Sequence, residues 1–277
     1  MNMQPSDSSE MTGKFFVDLA NRQAALDTLL CVGLDPDLSK LPEPYLACAD
    51  PILTFCKDVI DATYDLVGCF KPQFAHFAAA EALPALREVI AYCHDKNVPV
   101  ILDAKRGDVG STSSFYAREA YDVYDADAVT VNPYLGGDSL EPFLERKDKG
   151  VILLCRTSNP GGADLQNLKL ASGVEVYEQI ASLAAKQWND NENVGLVVGA
   201  TRPEELKRVR AIVGDMTLLL PGIGAQGGDI AACLAAGAGG GLIVSSSRAV
   251  LYPEGGEMQA VRSEAEKTRQ SLNQHRQ

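Results

Sequence analysis

A single-domain α/β fold, a (β/α)8 TIM barrel, is what this chain predicts, and three observations carry the prediction. Eight short apolar runs recur along its 277 residues, helix-like stretches separate them, and polar or glycine-rich residues follow the runs rather than precede them. Strand–helix alternation repeated eight times over roughly 250 residues is what such a barrel requires.

The runs come in order. LLCVGLDPD (29–37) leads to Asp35, VGCFKPQFA (67–75) carries Lys71, and VPVILDAKRGD (98–108) ends in a burst of charge. DAVTVNPYLGG (127–137) and GVILLCRTSNPGG (150–162) end near Asn132 and Ser158. VGLVVGATRP (194–203), TLLLPGIGAQGG (217–228) and GGGLIVSSSRA (239–249) lead to Thr201, Gln226 and Arg248. Runs this continuously apolar suit strands buried on both faces of a parallel sheet. Helical patterns fill the gaps, as at 78–96, 173–189 and 202–214. An open doubly wound sheet is the competing architecture. It usually carries G-x-G-x-x-G after its first strand, and LLCVGLDPD has none. The ends read as a flexible N-terminal segment (1–13) and a polar C-terminal tail (266–277), with the barrel spanning 14–265.

Composition narrows the function classes. A net charge of -12 argues against a nucleic-acid or anionic-membrane partner, while an anionic small molecule stays possible where basic residues concentrate. The seven cysteines form no C-x-x-C pair and mostly lie in apolar runs, so they read as reduced core thiols of a cytoplasmic protein. The start MNMQPSDSSEMTG has no basic, then apolar, leader pattern, and no apolar run reaches membrane-spanning length.

The segment ILDAKRGDVGST (101–112) poses the functional question. Asp103, Lys105, Arg106 and Asp108 place four charges in six residues at the edge of a core, which is costly unless they pair or react. Alternation along a strand puts Asp103 and Lys105 on one face, toward the mouth of the barrel, and Lys71 neighbours them if the second and third strands pair. A lone Asp-x-Lys reads as a structural ion pair; with Lys71 and Asp108 added, a site becomes the better reading. Arg106 points the other way and reads as structural. The glycines of PGIGAQGGD and the following strand's Arg248 suit a phosphate, which barrels often hold in the loops after strands seven and eight. No P-loop, metal-ligand spacing or Ser–His–Asp order appears, and His76, His94 and His275 offer little chemistry.

DAKRGDVGST resembles the D-x-K-x-x-D-[IV]-x-x-T signature of the orotidine 5'-monophosphate decarboxylase family, in its longer bacterial branch. GLDPD, FKPQ, PGIGAQGGD and the arginine of SSSRAV are similar to that family in order and place. The resemblance implies conversion of orotidine 5'-monophosphate to uridine 5'-monophosphate and CO2, in pyrimidine synthesis, without metal or organic cofactor. It implies catalytic roles for Lys105, Asp103, Lys71 and Asp108. Asp35 would hold ribose, Ser158 the pyrimidine edge, Gln226 both phosphate and pyrimidine, and Gly227, Ser247 and Arg248 the phosphate. A homodimer is implied, with Asp108 and Thr112 reaching the partner's site. Ser247 departs from the glycine usual before the arginine, although its backbone N–H still serves. Three alternatives stay open. One is a sugar-phosphate decarboxylase or synthase barrel sharing D-x-K-x-x-D, which uses magnesium and an acidic residue where this chain has Lys71. The others are a Schiff-base aldolase on Lys105 and a phosphate-ligand sensor without turnover.

Overall fold

The computed structural model describes residues 12–200, 202–222 and 229–276. Its strands are β1 (Leu30–Leu34), β2 (Cys69–Pro72), β3 (Ile101–Arg106), β4 (Ala128–Val131), β5 (Gly150–Arg156), β6 (Val194–Val198), β7 (Leu218–Pro221) and β8 (Leu242–Ser246). They pair in parallel in the order β2-β1-β8-β7-β6-β5-β4-β3. Between β2 and β3 the ring is bridged at Phe70–Val100 and Gln73–Asp103, and the Phe70 N–H donates to the Pro99 carbonyl at 3.0 Å. The expected (β/α)8 barrel is therefore the observed architecture, its eight strands in sequential order around the ring.

Alternation along the strands separates two apolar regions. Val32, Leu34, Phe70, Leu102 and Val129 face the surrounding helices. Inside the ring, Cys31, Cys69, Ile101, Ala128, Ile152, Val197, Leu219 and Ile243 contribute one side chain per strand to a dry layer. The helix Lys14–Leu26 closes that layer from the N-terminal end, adding Phe15 and Leu19 to it. Glycine makes the fit possible. A Cβ on Gly150 would collide with the Phe15 ring, and one on Gly195 would lie 3.0 Å from the Phe16 ring. Burying such side chains stabilises the floor by about 2 kcal/mol each. With this end packed, the polar cleft of the barrel lies toward the opposite mouth.

The chain ends differ from expectation on one side. The stretch read as a polar tail from residue 266 continues the helix Met258–His275, whose Val261, Ala265 and Leu272 are buried. A narrow apolar stripe suffices for it to pack, which is why it reads as polar. Residues 1–11 of the expected flexible segment lie outside the described residues, while Gly13 is tied by its N–H to the Lys147 carbonyl at 3.1 Å. All the cysteines except Cys48 are buried, and none is in a disulfide. Among the described residues, no helix is long and apolar enough to cross a membrane.

Candidate active site

Two residues above the dry layer, the interior turns polar. Asp103 of β3 is buried there, and both its oxygens are taken. Oδ2 accepts from Lys71 Nζ at 2.8 Å and Gln73 Nε2 at 3.1 Å. Oδ1 accepts from Lys105 Nζ at 2.6 Å and from the Thr130 hydroxyl at 2.9 Å. Four donors thus converge on one carboxylate, from β2 and the residue just after it, from β3 and from β4. The two lysines differ in setting: the Lys71 side chain is 7% exposed, that of Lys105 is 47% exposed. One ammonium is locked inside and the other reaches into the mouth.

The electrostatics follow from this packing. Burial works against the charge on Asp103, but Lys71 and Lys105 outweigh it and hold the carboxyl well below the usual carboxylate range. Burial likewise opposes the charge of Lys71, and Asp103 and Asp35 more than restore it, so that its ammonium loses its proton less readily than an ordinary lysine. Asp103 and Lys71 thereby favour each other's charged forms. A buried pair of this kind stands or falls together, because removing one partner leaves an uncompensated ion.

The backbone at Lys105 departs from the regular strand on which the sequence reading relied. Its φ is +46°, and the β3–β4 register breaks between Leu102 and Arg106. A left-handed lysine costs roughly 1–2 kcal/mol. The same-face placement with Asp103 is nevertheless realised, through this kink rather than through ideal alternation. Arg106 does point away. Its guanidinium makes two bonds to Glu119, at 2.8 and 3.0 Å, and stacks over the Phe74 and Tyr116 rings.

A cleft beside this row is lined by Asp35, Lys71, Gln73, Asp103, Gly222, Ser247 and Arg248. Asp35 follows β1, and its Oδ1 is buried without a hydrogen-bond partner among the described residues. Tyr252 steadies the loop: its hydroxyl donates to the Asp35 carbonyl at 3.1 Å and accepts from the Asp37 N–H at 2.8 Å. Ser247 follows β8 and packs so closely over Gly33 that no Cβ would fit there. Arg248 is exposed at the start of the helix Arg248–Leu251. The expected phosphate-loop residues Gln226 and Gly227 lie outside the described residues.

Lys105 adjoins the cleft through its bond to Asp103 without lining it, and three further expected residues stand apart. Ser158 is half-buried after β5, packed against Gly199 of the next strand end. Asp108 receives the Val109 N–H at 2.8 Å, and Thr112 is exposed on the helix Gly110–Arg118. Around them are large exposed apolar side chains, Val109, Phe115, Tyr134 and Leu135. Gln73, Thr130 and Tyr252 were missed from sequence, as was Arg156. This buried arginine pairs with Glu205 at 2.8 Å and donates to the Thr157 carbonyl beside Ser158 at 2.6 Å. The histidines serve elsewhere: His76 Nδ1 lies 3.0 Å from the Pro36 carbonyl, and His94 pairs with Asp127 near the start of β4.

A parallel barrel whose open mouth holds a Lys–Asp–Lys row and a strand-eight arginine defines a class of enzymes acting on small phosphorylated anions. The model of the Orotidine 5'-phosphate decarboxylase / HUMPS family matches residues 28–262. The chain belongs to that family. It is 54% identical over 255 residues to an orotidine 5'-phosphate decarboxylase of Janthinobacterium sp. (strain Marseille), covering 90% of this chain and 94% of the relative. It is 51% identical over 270 residues to that of Ralstonia nicotianae, covering 95% and 99% of the two chains. Among solved structures, Leishmania donovani OMP decarboxylase matches with a TM-score of 0.82 at 39% identity, over 95% of this chain and 98% of that one.

Proposed function

We propose that this chain decarboxylates orotidine 5'-monophosphate to uridine 5'-monophosphate in the cytoplasm, as a step of pyrimidine synthesis. Departure of CO2 from C6 leaves an electron pair in the ring plane with no adjacent carbonyl to delocalise it. A fixed cation, followed by a proton, is what the reaction needs. Lys105 is suited to both. Asp103 bonds and aims its ammonium, Lys71 keeps Asp103 ionised, and the Lys105 side chain is half exposed. Two unit charges about 4 Å apart interact by about 4 kcal/mol at an effective dielectric of 20, so placement of one ammonium is a large lever. Proton transfer from Lys105 to C6 closes the cycle, and solvent restores the ammonium.

The remaining roles follow the cleft. Asp35 has an oxygen free to take a ribose hydroxyl. Arg248, with the Ser247 N–H and the loop containing Gln226 and Gly227, would grip the phosphate, and Ser158 would meet the pyrimidine edge. Asp108 and Thr112 would serve a partner's site in a homodimer; the exposed rings of Phe115 and Tyr134, 64% and 73% exposed, support an interface on that flank.

The observation that carries the reading is the Asp103 carboxylate gripped between two ammonium groups. It also separates this reaction from the magnesium-dependent sugar-phosphate one. Lys71 already occupies an Asp103 oxygen at 2.8 Å and would compete with a metal cation there. It disfavours the Schiff-base alternative too, since the Lys105 Nζ is engaged as a donor to a carboxylate and not set in an apolar pocket. The test is loss of orotidine 5'-monophosphate absorbance with chelator present. Turnover by the native chain and loss of it in Lys105→Ala are expected. Activity abolished by chelator would favour the metal-dependent reaction, and binding without turnover would favour a sensor.

A further inference from the structure

We infer that Thr130 is a positioning residue for the reaction: its hydroxyl sets both the backbone of Lys105 and the orientation of Asp103. The inference rests on the catalytic reading of Lys105 given above. Thr130 lies on β4, is 1% exposed, and touches the row through one oxygen. That oxygen accepts the Lys105 backbone N–H at 2.9 Å and donates to Asp103 Oδ1, also at 2.9 Å.

The direction of these bonds is fixed by chemistry. An amide N–H only donates and an ionised carboxylate only accepts, so the hydroxyl must receive from the first and give its single proton to the second. No apolar residue reproduces this, and among similarly small side chains serine carries the same donor and acceptor. The contact falls at the break in the β3–β4 ladder, where Lys105 adopts a φ of +46°. A side-chain oxygen thus takes the N–H that regular pairing would have used, and holds the lysine in the kink from which its Nζ meets Asp103 at 2.6 Å. Gln73 steadies the other carboxylate oxygen, so that each oxygen of Asp103 carries one ammonium and one neutral donor. The neutral donors fix the plane of the carboxylate, and the plane fixes where the Lys105 ammonium sits.

The test compares Thr130→Val, which keeps the shape and removes the hydroxyl, with Thr130→Ser, which keeps the hydroxyl and removes a methyl. Loss of alignment by about an ångström costs on the order of 100-fold in turnover, so Thr130→Val should lose about that in kcat with KM within about threefold. Thr130→Ser should stay within about fivefold of native kcat, since the hydroxyl persists. Similar losses in both variants would mark Thr130 as a packing residue and overturn the inference. So would a raised KM with native kcat. Should Thr130→Val not accumulate as folded protein, Thr130→Ala is judged by the same kcat–KM split against Thr130→Ser. Lys105→Ala measured alongside separates the two levels. An active Lys105→Ala sinks the catalytic reading and this inference with it, whereas an inactive Lys105→Ala beside native-like Thr130→Val sinks the inference alone.

Discussion

Asp103 and Asp108 sit five residues apart in one motif and meet opposite fates. Asp103 is buried and receives four side-chain donors, three from strands and one from Gln73 just after β2. Asp108 is half-buried on the following loop, and its one hydrogen bond among the described residues is the N–H of its own neighbour. The first carboxylate is completed by the fold that bears it. The second is not, and lies on a flank with exposed Val109, Phe115, Tyr134 and Leu135. One sequence motif therefore holds two settings: an internal carboxylate gripped by the Lys105 ammonium, and a loop carboxylate that, on the function proposed above, would serve another subunit.

Substitutions sharpen this contrast, beginning where the effect is greatest. Lys105→Ala should lower kcat by about 10⁴-fold or more, since electrostatic stabilisation and proton donation vanish together; steady-state absorbance assays read this directly. Asp103→Ala should do comparable damage and also destabilise the fold by about 3–5 kcal/mol, because Lys71 is left buried and unpaired. Urea denaturation would show whether both losses occur, and a fully stable Asp103→Ala would break the contrast. Asp108→Asn should cut kcat/KM by about 100-fold or more while stability shifts by no more than about 0.5 kcal/mol. Mixed with Lys105→Ala, it should recover up to about a quarter of native activity through hybrid dimers with one intact site. No recovery would place both groups in one subunit.

The smallest effect concerns a carboxylate remote from the mouth. Asp127 bonds His94 at 2.9 Å and raises its pKa above the ordinary histidine value, an effect that burial partly offsets. A histidine raised in the fold contributes fully below its unfolded pKa and loses that contribution as pH climbs through the folded one. Native stability should thus decline modestly from pH 6 to 8.5, and His94→Gln should flatten the decline without touching kcat. Thermal melts across that range provide the measurement.

Much of this arrangement was legible because strands and charges obey simple spacing. Eight apolar runs gave the barrel, and Lys71, Asp103 and Lys105 were read at strand ends that the structure brings together. Thr130 escaped because threonine suits a strand and sits unmarked in AVTVN. Gln73 escaped because its partner is thirty residues away. The kink at Lys105 has no signature, since lysine is not a residue that favours positive φ. The helix Met258–His275 was read as a tail beyond 265 because Leu272 is its one buried apolar residue there. Long-range partners and sparse stripes are what local patterns conceal.

Phe15 and Leu19 fill the N-terminal end of the barrel, and the polar row lies beyond that packed layer toward the other end. Among the described residues, the layer that includes Phe15 and Ile152 stands between Asp103 and that end, so departure on the Lys105 side is the expected route for the freed gas. Substitutions at the rim, and not at the floor, are then the ones expected to change the pace of exchange.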